Sequence, residues 1–194
     1  PLPLLPLQIL FLNLVTDVFP AFALGTIDSR FDVLERSPRP PSESILGKRQ
    51  WLTIVMHGTS IAGVSLIALL TALYILHFDN DKATSMSFYT LALAQLWHVF
   101  NMRNWRLPLW RSSIVTNRFV WIAIVICLCL LAIAALVPRI ATTLQLSHLS
   151  LNAWILILLF SIVPVILRES HSAFRRRKEL QSKDTNSFIS DSPD

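Results

Sequence analysis

Residues 119–137 run for 19 positions without a single charged side chain. At about 1.5 Å per residue, a helix of that length spans the roughly 30 Å hydrocarbon core of a bilayer. Lipid offers nothing to hydrogen-bond, so such a run must satisfy its own backbone and is expected to be a helix. The remainder of the chain agrees with this. Charged residues make up 15% of it, against roughly 25% in soluble globular proteins. A soluble enzyme is excluded. The chain reads as an integral, multi-pass membrane protein whose first partner is the lipid bilayer.

Five apolar stretches can be drawn, at 7–25, 52–76, 86–102, 119–137 and 149–167. They predict an all-α, polytopic bundle of five transmembrane helices. The basic residues divide unequally between the connections. Fifteen of the 17 lie in 26–50, 103–118 and the tail from Arg168; only Lys82 and Arg139 lie in the other two loops. The positive-inside rule then makes the basic-rich side, tail included, cytoplasmic. The net charge of +5 is thus a topology signal, and no nucleic-acid partner is expected. This orientation starts the chain outside the membrane, and Pro1 leads straight into a span, so helices are expected upstream.

The segment 26–50 reads as an extended cytoplasmic loop, because Pro38, Pro40 and Pro41 forbid regular helix there. Residues 51–167 are expected to hold a four-helix bundle. The tail 168–194 opens on Arg175-Arg176-Arg177-Lys178 and continues Ser- and Asp-rich, which predicts a basic, disordered segment. In the second span, Gly58 with Ala62 and Thr59 with Gly63 form small-xxx-small pairs expected to permit close helix approach. Cys127 and Cys129 point in different directions on one helix and read as packing or lipid-facing residues.

Of the 12 acidic residues, only Asp17 falls inside an apolar stretch. A carboxylate there costs at least ~2.5–3.5 kcal/mol on insertion scales, so it marks function by default. Asn13 and Thr16 project with Asp17 within an arc of about 100° on a helix, forming one polar stripe. Pro20 lacks an N–H, which takes the intrahelical bond away from the Thr16 carbonyl and predicts a broken helix at this point. Carboxylate, amide, hydroxyl and carbonyl oxygens together suit a hard, dehydrated cation. In the third span, Gln95 and His98 share a face while Asn101 is turned away. His98 reads as a helix-packing hydrogen-bonder, and His57 as interfacial.

The run Pro6-Leu7-Gln8-Ile9-Leu10-Phe11-Leu12-Asn13-Leu14-Val15-Thr16-Asp17, followed by Pro20-Ala21-Phe22-Ala23-Leu24-Gly25, closely resembles the sixth transmembrane helix of P-type cation-transporting ATPases. The branch is that of the calcium pumps. Asp32-Val33-Leu34-Glu35-Arg36-Ser37-Pro38-Arg39-Pro40 resembles the cytoplasmic loop that follows in that family. The resemblance implies that the five spans correspond to the last five of a ten-helix pump. It implies that Asn13, Thr16 and Asp17 ligate the transported ion, with Ca2+ favoured and Mn2+, Mg2+ or Na+ open. Gln95 aligns with a Glu that completes a second ion site in some calcium pumps, so it is a further ligand candidate, though without charge. Val18 and Ile27 depart from the family's usual Gly and Glu.

No nucleotide chemistry is legible in the chain. Asp81-Lys82-Ala83-Thr84 lacks the Gly of a pump's phosphorylation motif, and Gly47-Lys48 has Ser42 where a P-loop needs Gly. By the resemblance, ATP and Mg2+ would act only through upstream domains of the same polypeptide. The expected function is therefore the C-terminal membrane part of an ATP-driven cation pump. The alternative is a free-standing or degenerate membrane subunit with a structural or channel-like role.

Overall fold

The computed structural model describes residues 2–26, 47–102 and 113–190. Most of the Pro-rich loop, and the basic stretch 103–112, lie outside the described residues. The described elements are all helical. They are α1 (Pro6–Gly25), α2 (Lys48–Tyr74), α3 (Asn80–His98), the short α4 (Ser113–Thr116), α5 (Arg118–Leu136), α6 (Pro138–Thr143) and α7 (Leu151–Ser190).

Local chemistry sets the ends. Pro6 opens α1 at its first position, and the Leu5 N–H donates to Gln8 Oε1 at 3.1 Å, half of a capping box. Asn117 caps α5 by accepting from the Phe119 N–H at 2.8 Å. Val137, extended ahead of Pro138, stops α5, and Pro138 opens α6. His77, at φ 51°, turns the chain after α2 while the Phe78 N–H reaches back to the Ala72 carbonyl at 2.9 Å.

Among the described residues, four helical segments are long and apolar enough to cross a membrane: Pro6–Gly25, Gln50–Tyr74, Arg118–Leu136 and Leu151–Ala173. The third predicted stretch, 86–102, is helical as α3, but the helix begins six residues earlier than expected, at Asn80, and is not among these four, so the structure supports four of the five expected spans. Its position explains this. α3 packs against α2 and α7 and also touches α1 and α5. From Ala83 to Leu96 nearly every residue is buried by protein rather than left for lipid.

The hydroxyls buried on α3 are consequently bonded inside the bundle, while the buried Trp97 indole N–H has no partner among the described residues. Ser87 Oγ and Ser65 Oγ lie 2.9 Å apart, and each hydroxyl also reaches the other residue's carbonyl. Thr90 donates to the Met86 carbonyl at 2.8 Å. The close approach of α2 to its neighbours is made by Ser65, Ala68 and Ala72, all buried. The expected Gly58 and Gly63 pairs do not serve it, since a methyl group at either position would meet nothing within 4 Å.

The helix ends sort into two sets. At one end Thr84 donates to the Leu2 carbonyl (2.8 Å), Gln8 Nε2 to the Leu144 carbonyl (2.9 Å) and the Ser147 N–H to Ser85 Oγ (2.8 Å). At the other, Asn117 Nδ2 donates to Thr26 Oγ1 at 3.3 Å and Arg168 donates to the Asn101 carbonyl. This is the up-and-down alternation that the charge split requires. α7 runs on as a helix from the last span through Ser190. No Gly or Pro stands between Pro164 and Pro193, and good helix formers such as Arg, Lys, Glu and Gln fill the interval.

Candidate functional site

Halfway along α1 the winding changes. Residues Asn13–Val18 form a π-helical turn, flanked by α-helix on both sides. The sequence predicted a break here; the structure keeps the helix continuous and widens it instead. Pro20, second residue of the α-helical segment that follows, supplies the reason. A proline in a helix interior cannot donate to the carbonyl four residues back, and a wider turn accommodates that register. Such turns are frequent at functional sites.

The π turn spans Asn13, Thr16 and Asp17. Thr16 is buried and faces α3, where its hydroxyl lies 3.0 Å from Gln95 Oε1. The same Oγ1 is 2.9 Å from the Leu12 carbonyl and 3.5 Å from Asp17 Oδ1. One hydroxyl proton serves one of these acceptors at a time, while the oxygen keeps its lone pairs. Gln95, half-buried on α3, is thereby brought to the stripe from a helix 79 residues away in sequence.

Asn13 and Asp17 lie on the other side of the turn, exposed beside Leu10, Leu14 and Val18. Asp17 is in no ion pair among the described residues, so none of them uses its charge to tie helices together. Those residues contain no cluster of three or more His, Cys, Asp and Glu. The chain thus offers one carboxylate with neutral oxygens around it, a partial ligand set for a hard cation.

One sequence expectation is revised at the end of α3. Asn101 is not turned away from His98: a 3-10 turn over Val99–Met102 brings Asn101 Nδ2 to 3.3 Å from His98 Nδ1. His98 packs against His57, ring centroids 5.1 Å apart, and does not join Gln95 at the stripe. These residues border a cavity of about 470 Å³ that Arg168 also lines, at the opposite end from Gln8.

Cys127 is the residue that sequence reasoning missed. It is fully buried on the face of α5 toward α1, and its thiol donates to the Val15 carbonyl at 2.9 Å, inside the π turn. α5 is apolar on every side, so no periodicity in its sequence shows which stripe turns inward.

Comparison with known proteins matches residues 1–174 to the family described as cation transporting ATPase, C-terminus. The chain is 31% identical over 171 residues to a calcium-transporting ATPase of Bacillus subtilis (strain 168), covering 86% of this chain and 19% of that protein. It is 30% identical over 183 residues to calcium-transporting ATPase 1 of Bacillus cereus, covering 86% of this chain and 20% of that protein. A P-type sodium-transporting ATPase4 of Plasmodium falciparum is 43% identical over 76 residues, 39% of this chain and 6% of that protein. The chain spans about a fifth of the length of the two bacterial relatives.

Proposed function

Because the chain belongs to the family of cation-transporting ATPase C-termini, we propose that it supplies part of the intramembrane ion site of an ATP-driven cation pump. Asn13, Thr16 and Asp17 are the ligands in this reading, and Gln95 both braces Thr16 and offers a further oxygen. The observation that carries it is the π turn. Halfway along α1 it carries an amide and a carboxylate on its open side and a hydroxyl on its inner side, and it is held from α3 by the Thr16–Gln95 contact. The open side of the turn, with Asn13 and Asp17, is where upstream helices of the parent polypeptide would complete the ligand set. Phosphorylation by ATP, with its Mg2+, belongs to those upstream parts.

Ca2+ is the favoured cargo, since both bacterial relatives are named as calcium transporters. The sodium-transporting relative keeps a monovalent cargo within reach of the same scaffold. Gln95 brings an oxygen but no charge, so we expect at most one strongly held divalent ion. The basic-rich helix ends, with the C-terminal tail, are assigned to the cytoplasm.

The test is Asp17→Asn in the full-length parent. Losing the carboxylate removes the charge that offsets cation dehydration, so ion-dependent phosphorylation is expected to vanish while yield and thermal stability hold. A stability loss of roughly 3–5 kcal/mol with ion affinity unchanged would identify Asp17 as a structural ion-pair partner instead. For the orientation, an impermeant thiol reagent added from outside is expected to label Asn80→Cys and spare Asn186→Cys. The opposite pattern inverts the assignment.

A further inference from the structure

α5 carries few polar groups between Phe119 and Val137. The Trp121 indole is engaged at one end, donating to the Val115 carbonyl at 2.8 Å, and Cys129 is exposed on the far side. Cys127 is therefore the donor that α5 offers at the depth of the π turn. Both partners, Cys127 and Val15, are 0% exposed, so no water competes for the Val15 carbonyl. Val15 and Thr16 are consecutive, and each is gripped from a different helix. α5 holds the backbone of one through a thiol, and α3 holds the hydroxyl of the other through an amide. Together the two contacts fix the rotation of the turn, and with it the direction in which Asn13 and Asp17 face.

We propose that Cys127 is a positioning residue for the cation site: its thiol proton, donated to the Val15 carbonyl, holds the π turn in the rotation that presents Asn13 and Asp17 together. This rests on the ion-site reading above. A residue that merely fills space behaves differently on substitution. Val matches a buried thiol in size and apolarity, whereas Ser keeps the donor but adds a polar hydroxyl. Positioning therefore predicts that Ser preserves function better than Val, and packing predicts the reverse order.

The experiment measures the Ca2+ concentration giving half-maximal phosphorylation of the full-length parent by ATP, with thermal stability recorded beside it. Cys127→Ser is expected to stay within about twofold of wild type, while Cys127→Val and Cys127→Ala raise the half-saturating concentration about three- to tenfold, the range of one lost hydrogen bond. Wild-type affinity in Cys127→Val overturns the proposal. An infrared difference spectrum, wild type minus Cys127→Ser, supplies a readout that needs no activity. A hydrogen-bonded thiol gives an S–H band below the free-thiol frequency, and a band at the free-thiol position overturns the assignment. Asp17→Asn run in parallel separates the two levels. Unchanged ion dependence in that variant removes the site itself, whereas its loss alongside normal Cys127→Val affinity removes only the thiol's role.

Discussion

α3 and α5 are the same length, 19 residues, and both border the π turn of α1, yet they are built on opposite plans. α3 carries Thr84, Ser85, Ser87 and Thr90 among its buried residues, and each of these hydroxyls has a partner within the bundle. α5 buries one stripe, Val120, Ala123, Ile124, Cys127, Leu131 and Ala134, and turns Ile122, Val125 and Ile133 outward. In a bilayer, hydropathy reports contact with lipid and not depth of burial. A helix enclosed by protein can be polar wherever its groups are bonded, while one that meets lipid must be apolar across that face. The more enclosed of the two therefore carries the weaker membrane signal.

The difference can be broken most forcefully at Phe88. This α3 side chain is fully buried against Phe11 and Tyr89, and Phe88→Ala should cost about 3–5 kcal/mol in unfolding of the parent in detergent. A loss below about 1 kcal/mol would mean that the α3 environment is not a packed core. Next comes Gln95→Leu, which keeps the volume and deletes the contact to Thr16. The Thr16 hydroxyl retains the Leu12 carbonyl, so stability should change little. The half-saturating ion concentration should rise about fivefold, equivalent to a net hydrogen bond of about 1 kcal/mol. An unchanged value would reduce Gln95 to packing. The smallest effect is expected at Ile122, 52% exposed on α5, where Ile122→Ala should shift stability by no more than about 0.5 kcal/mol. If it costs as much as Phe88→Ala, that face meets protein and the contrast between the helices fails.

These two helices also mark what could be read in advance. The uncharged run of α5 was unmistakable, and its boundaries fell within a residue of those predicted, because Asn117 and Pro138 end it by local chemistry. α3 is legible as a helix, but its apolar signal starts six residues after the helix does. Asn80, Asp81 and Lys82 look like loop residues until one sees that they extend past the packed core. In the first helix the polar residues Asn13, Thr16 and Asp17 are legible against an apolar background, but the sequence places them on one stripe, whereas the structure turns Thr16 inward and leaves Asn13 and Asp17 exposed. The π winding is not legible, since Pro20 demands some irregularity without specifying whether the helix breaks or widens.

The sequence by itself determined the membrane class, the helical backbone, the segregation of charge to one set of connections and the polar motif of the first helix. All of these follow from length, hydropathy and spacing, which act within a single segment. Only the tertiary structure decided which helices surround the motif and how each is rotated about its axis. The Thr16–Gln95 and Cys127–Val15 contacts join residues 79 and 112 positions apart, and the second lies on a helix whose uniform apolarity carries no rotational information. Packing chose that rotation, because in lipid the helices gain little from hydrophobicity and are oriented by close fit and by the few polar groups that must find partners.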